Sequence, residues 1–318
     1  MKINDTGFGI VCVASGPSVR VPTVRQCFDF AVEHWPAIGT APEKIGGTGL
    51  TLGRNYRSFK RFLQRLSEQS WDTATSVSFK ELHPQGRQCL FEWSASFGFS
   101  RTPPWVPHSA LCVRCADLAP LPRVRQLWQQ YLGTLYHAPY AYTYIQPMNW
   151  GPLMYALGIG YGPRHKEQHE EYGMNISRWG YSVGCRPEVY AAGILRDIYP
   201  HNYLSAPYLD APIGRTAKTL REWIQDDPVE RGTLSPFTDL LTDWAPPVKN
   251  IPTIREALYR AGRVFYWRFF CPTERIEGVD QPEPLFRPDP RAPWEAPDPI
   301  PEIYRADYWK DKDPGLTY

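Results

Sequence analysis

The spacing of apolar residues switches repeatedly between a period of two and one of 3.6, and strands and helices do not alternate strictly. Phe8 to Ala14 reads as a strand. Pro22 to Trp35 places Val24, Phe28, Ala31, Val32 and Trp35 at helical spacing behind a proline that suits a first turn. Gly46 to Gly53 is a Gly-rich turn leading into Arg54 to Ser70, a helix with Tyr56, Phe59, Phe62, Leu63 and Leu66 along one side. Three strand-like runs follow, Thr75 to Leu82, Gln88 to Phe99 and Ala110 to Leu118, and the prolines between them predict antiparallel pairing through turns. Leu121 to His137 is helical, Tyr140 to Ile145, Leu153 to Ile159 and Asn175 to Val183 read as strands, and Pro187 to Asp197 as a helix. Asn250, Pro252 and the pair Thr253 with Glu256 mark a further helix start, with Gly262 as its stop.

These elements predict an α+β fold, mainly antiparallel sheet with packed helices. The body spans 1–271, with two lobes expected to meet near 147–152. From Pro272 to Tyr318 there are ten prolines, and proline fixes φ and removes a ladder donor, so 272–318 is expected to be extended. Its Leu285, Phe286, Trp294, Ile300, Tyr304 and Trp309 suggest a tail strapped onto the body.

Composition narrows the class. With 42% apolar residues, 12 Trp, 19 Tyr and 14 Phe in 318 positions, the chain has ample material for a core. A net charge of +2 argues against binding nucleic acid through bulk charge. No window approaches the roughly 20 apolar residues of a membrane span, so no membrane association is expected. The opening residues read as a first strand with no export signal, and seven cysteines suit reduced thiols, so a cytoplasmic protein is expected.

Each motif that resembles an active site lacks part of its context. Gly180-Tyr181-Ser182-Val183-Gly184 matches the G-x-S-x-G nucleophile elbow, and a serine esterase acting through Ser182 is the alternative reading. Only His201 follows it, too near in sequence to leave room for intervening βα units. His165 and His169 are four apart, but Lys166 stands where a zincin requires Glu. Cys112 and Cys115 form a single C-x-x-C inside a strand, where their side chains diverge. The glycines before Arg54 lack the Gly-Lys-Ser/Thr ending of a phosphate loop. No catalytic residue, metal or cofactor is therefore assigned.

Charge is distributed more tellingly. Glu222 to Tyr318 holds 18 acidic against 12 basic residues, whereas residues 1–221 hold 15 against 23. Within Glu222 to Asp243 the acids Glu222, Asp226, Asp227, Glu230, Asp239 and Asp243 face Arg231 alone. Such a face can steer onto a cationic cleft. Arg54, Arg57, Arg61 and Arg65 form a second candidate row, at helical spacing.

The stretch Asp197-Ile198-Tyr199-Pro200-His201-Asn202-Tyr203-Leu204-Ser205, with Thr219 to Ile224, Arg231 to Leu234 and Trp244, resembles the C-terminal region of bacterial type VI secretion immunity proteins, in style those that neutralise nucleases of the restriction-endonuclease-like fold. Ala110 to His137 is similar in order to the middle of those proteins. The resemblance implies a non-enzymatic inhibitor that occludes the cleft of a cognate secreted nuclease toxin in the cytoplasm, touches no nucleic acid itself, and serves in bacterial competition. The contact residues expected are the six acids above, or the arginine row facing the nuclease's metal-binding carboxylates. Trp223 and Trp244 are expected to be core residues.

Overall fold

A computed structural model describes residues 7–18, 20–40, 42–50, 59–82, 93–102, 106–148, 152–156, 179, 187–214 and 216–265. Described residues up to 156 belong to one unit and those from 179 onward to a second.

The first unit holds a six-stranded sheet. Its strands are β1 (Phe8–Ser15), β2 (Lys44–Gly46), β3 (Ser76–Leu82), β4 (Trp93–Ser100), β5 (His108–Cys115) and β6 (Tyr140–Pro147). They lie in the order β2-β3-β4-β5-β1-β6, and every pairing is antiparallel. The alternating pattern therefore sorts residues onto two faces. Phe79, Phe97 and Phe99 fall on one of them, together with Leu111 and Cys12.

That face is covered by α1 (Val24–Ile38) and α3 (Leu121–Thr134), while α2 (Phe59–Ser67) carries the polar sequence between β2 and β3. Helix α1 begins at Val24, two residues later than its proline suggests. Thr23 caps it and Gln26 reaches back to the cap, so two otherwise orphaned donors are satisfied. Its buried Val24, Cys27, Phe28, Ala31, Trp35 and Ile38 recur every three or four residues. Phe28 meets Phe79 at 5.5 Å between ring centroids, and Tyr131 of α3 meets Phe97 edge-on at 5.4 Å. Burying each such ring contributes about 1.5–3 kcal/mol.

On the opposite face Tyr140, Tyr142 and Tyr144 are all buried. Leu153 to Ile159 was expected as a strand, but Pro152–Ala156 is a short helix, α4. A five-residue apolar run fits either state, and packing decides. Tyr144 donates its hydroxyl to the Pro152 carbonyl at 2.5 Å, Tyr155 packs edge-on against Tyr144, and only a glycine at position 9 leaves room for the Pro152 ring.

The second unit contains α5 (Pro187–Ala191), β7 (His201–Leu204), α6 (Ala206–Leu209), α7 (Leu220–Asp226), α8 (Pro228–Arg231), β8 (Thr233–Pro236), β9 (Thr242–Ala245), a 3-10 turn (Val248–Asn250) and α9 (Ile251–Arg260). Strand β9 lies between β7 and β8, antiparallel to both. The helix expected over Pro187 to Asp197 stops at Ala191. Gly193 takes a positive φ of 65°, and the Arg263 guanidinium lies against it, donating to the carbonyls of Ala192 and Tyr208 at 2.8 Å each. Beyond that corner Leu195 bridges Val264 and the chain runs through the core: Arg196 is buried, and Asp197, fully buried, binds Arg255 at 2.5 Å. Gly262, at φ 67°, ends α9 as expected.

Candidate functional site

The acidic stretch folds into α7, α8, β8, the turn 237–241 and β9, and local chemistry already employs much of its charge. Thr219 and Glu222 form a capping box at the start of α7. Accepting the Thr219 amide proton holds the Glu222 carboxyl below its usual range. Asp226 pairs with Lys218, and Asp227 caps α8 by accepting the Glu230 N–H at 3.1 Å. Glu230 Oε2 accepts from Asn250 Nδ2 at 2.8 Å. Asp239 is exposed in the turn and makes no hydrogen bond or ion pair among the described residues.

Asp243 has to be removed from the candidate contact surface. It is buried on β9, and both its oxygens accept from His201 Nδ1, at 3.1 and 3.2 Å. Tyr203 is its cross-strand neighbour, and that ring stacks on Phe237 at 3.8 Å. A charge count along the chain cannot see this, because Asp243 and His201 are 42 residues apart in sequence. Glu222, Asp226, Glu230 and Asp239 are exposed, and Asp227 is half-buried.

The two tryptophans differ. Trp244 is fully buried and donates from its indole to the Arg231 carbonyl at 2.7 Å. Trp223 is only partly covered, and the Arg231 guanidinium lies 4.4 Å above its ring while donating to the Trp223 carbonyl at 2.6 Å. The one basic residue of the stretch is thereby engaged within it.

Sequence patterning also missed the apolar positions of this region. Val229 on α8 is 77% exposed, Val248 in the 3-10 turn 69%, and Leu240 in the turn before β9 50%. Single valines between a proline and a charged residue produce no periodic signal. Asn250, expected to cap α9, instead donates to the Glu230 carbonyl and carboxylate, which ties the 3-10 turn to α8.

Of the arginine row, Arg61 and Arg65 are exposed on α2 of the first unit, and Arg54 and Arg57 lie outside the described residues. The Ser182 motif, His165, His169 and the 272–318 tail also lie outside them. Among the described residues no group of three or more His, Cys, Asp or Glu could hold a metal ion. Cys112 and Cys115 are buried free thiols, and burial pushes Cys112 up to about 12. Gly49, at φ 80°, makes the glycine run a turn packed on the Thr73 carbonyl. No helix among the described residues is long and apolar enough to cross a membrane.

No protein-family model and no curated protein matches the chain. Among solved structures it is similar to the Pseudomonas aeruginosa type VI secretion system protein PA0821, with a TM-score of 0.47 and 13% identity over 80% of this chain and 72% of that one. A second likeness, to a chain of the toxic C-terminal tip of CdiA from Pseudomonas aeruginosa in complex with an immune protein, has a TM-score of 0.24 and 12% identity over 44% of this chain and 88% of that one.

Proposed function

We propose that this chain is an immunity protein of the type VI secretion kind, which binds a cognate antibacterial nuclease toxin in the cytoplasm and occludes its cleft without any turnover of its own. The observation that carries the proposal is that Glu222, Asp226, Glu230 and Asp239 are all exposed in the second unit, with no basic side chain left unengaged between Glu222 and Asp243. A nuclease must gather a polyanion, so its cleft is rimmed with cations. Exposed carboxylates can occupy that rim as phosphates would. The resemblance of Asp197 to Ser205 and of Thr219 to Ile224 to immunity proteins supports the same reading.

Occlusion demands tight, stoichiometric binding, with a contact of about 1,600 Å² or more. The test is to express the product of the gene adjacent to this chain's gene with and without the chain, to see whether it kills only in the chain's absence, and to measure their association. Protection with a one-to-one complex is expected. Glu230→Lys with Asp239→Lys, chosen because neither carboxylate caps a helix, should slow association roughly tenfold at low salt and flatten its salt dependence. Unaltered association kinetics would reject the acidic route in favour of Arg61 and Arg65. Protection that vanishes in Ser182→Ala while binding persists would reject a non-enzymatic role.

A further inference from the structure

We infer that the centre of the toxin contact is an apolar pair, Val229 and Val248, and that the acids around it form the rim; this rests on the immunity reading above. Among the described residues these are the two most exposed large apolar side chains. They belong to segments held against each other. Asn250 Nδ2 donates to the Glu230 carbonyl at 2.9 Å and to the Glu230 carboxylate at 2.8 Å, binding the segment that carries Val248 to the one that carries Val229. Gly232, at φ 95°, lets the end of α8 run so close to Ala245 and Pro246 that a Cβ there would overlap the Ala245 carbonyl.

Proline fixes φ beside both valines. Pro228 precedes Val229, Pro246 and Pro247 precede Val248, and Asp227 caps the four-residue helix between. Valine has one strongly preferred side-chain torsion in helical backbone, so ordering the pair on binding costs little. An apolar centre of low flexibility inside a ring of charges is the anatomy of a specific protein contact. Asp227 and Glu230 stand beside Val229 along the chain and Lys249 beside Val248, and over Glu222 to Asn250 acids outnumber bases.

That sign selects the occupant. A nucleic acid would be repelled, and a second copy of this chain would bring acid against acid. The fit is to a protein presenting an apolar depression edged with Lys and Arg. Of the other exposed large apolar groups among the described residues, Leu240 is 50% exposed in the turn before β9, and Leu118 and Phe8, less exposed still, belong to the first unit.

The experiment measures binding of the toxin identified by the protection test above to full-length wild type, Val229→Lys with Val248→Lys, Glu230→Gln and Leu118→Lys. Both valines are solvent-facing, so the double variant should keep the wild-type urea midpoint. Its affinity should fall roughly 100-fold or more, mainly through faster dissociation, since a charge is then placed at the centre of a desolvated contact. Glu230→Gln keeps an acceptor for Asn250 and should change only the association rate and its salt slope, and Leu118→Lys should bind as wild type. If wild type binds and the double variant stays within threefold of it, this surface is wrong while the immunity reading stands. If wild type neither binds nor protects, the immunity reading falls and this surface falls with it.

Discussion

Asp197→Ala should be among the most damaging single substitutions in the second unit. Asp197 is fully buried, and its Oδ1 accepts from Arg255 Nε at 2.5 Å and from the Ile198 amide at 2.6 Å, while Oδ2 accepts from Arg255 Nη2 at 3.4 Å. Truncation leaves the Arg255 cation and the Ile198 N–H without that acceptor. It also removes the buried negative charge from a region in which Arg196 and Arg263 are buried too. Breaking a buried ion pair from one side costs about 3–5 kcal/mol, and an unsatisfied buried amide about 1–3 kcal/mol. Arg255 keeps 23% of its side-chain surface in contact with solvent and can recover part of its hydration, which places the sum near 4 kcal/mol. Against a typical domain stability of about 5–15 kcal/mol, that is a large fraction. Urea unfolding measures it, with hydrogen exchange at Leu195 and Phe265, whose amides close the adjoining bridge, reporting on the second unit alone. With a slope of about 2 kcal/mol/M the midpoint should drop by about 2 M. Adding Arg255→Ala should then cost less than it does in wild type, because the cation no longer has a buried anion to lose. A loss below about 1 kcal/mol, or strict additivity in the double variant, would refute the assignment of this pair as the polar anchor of the unit.

Gly232→Ala should cost about 3 kcal/mol in the same assay, because φ 95° with ψ −178° is backbone that only glycine adopts easily and the new methyl meets the Ala245 carbonyl. Thr219→Ala should cost about 1 kcal/mol by removing the α7 cap. The Glu222 half of that capping box is pH-dependent. Its carboxyl titrates below the ordinary value of 4.5, so its contribution is complete above that range and lost as the pH falls through the lowered folded value; the Thr219 amide shift in an NMR titration reads this directly. Cys12, Cys27 and Cys112 are buried with thiols pushed up to about 12, and Cys115 is also buried and raised. Iodoacetamide at pH 8 should leave all four unmodified in the folded protein and alkylate them in urea, as peptide mass spectrometry would show.

What the sequence by itself determined is local and periodic. The alternation in Phe8 to Ala14 and Tyr140 to Ile145, the helical stripe from Val24 to Trp35 and the stop at Gly262 each depend on a few consecutive residues, and each stands in the structure with ends shifted by no more than a few positions. The antiparallel α+β class follows from those elements and the prolines between them. Tertiary structure decided the rest. Strands β7, β8 and β9 have four residues each, too few for a period to register, and exist because they pair with one another. Pairing carried Asp243 out of the acidic strip and set it against His201, and packing on Tyr144 turned Pro152–Ala156 into a helix. It also brought the corners bearing Val229 and Val248 together. Burial and charge partnership belong to neighbours in space, and tens of residues of intervening chain leave no trace of them in the linear pattern.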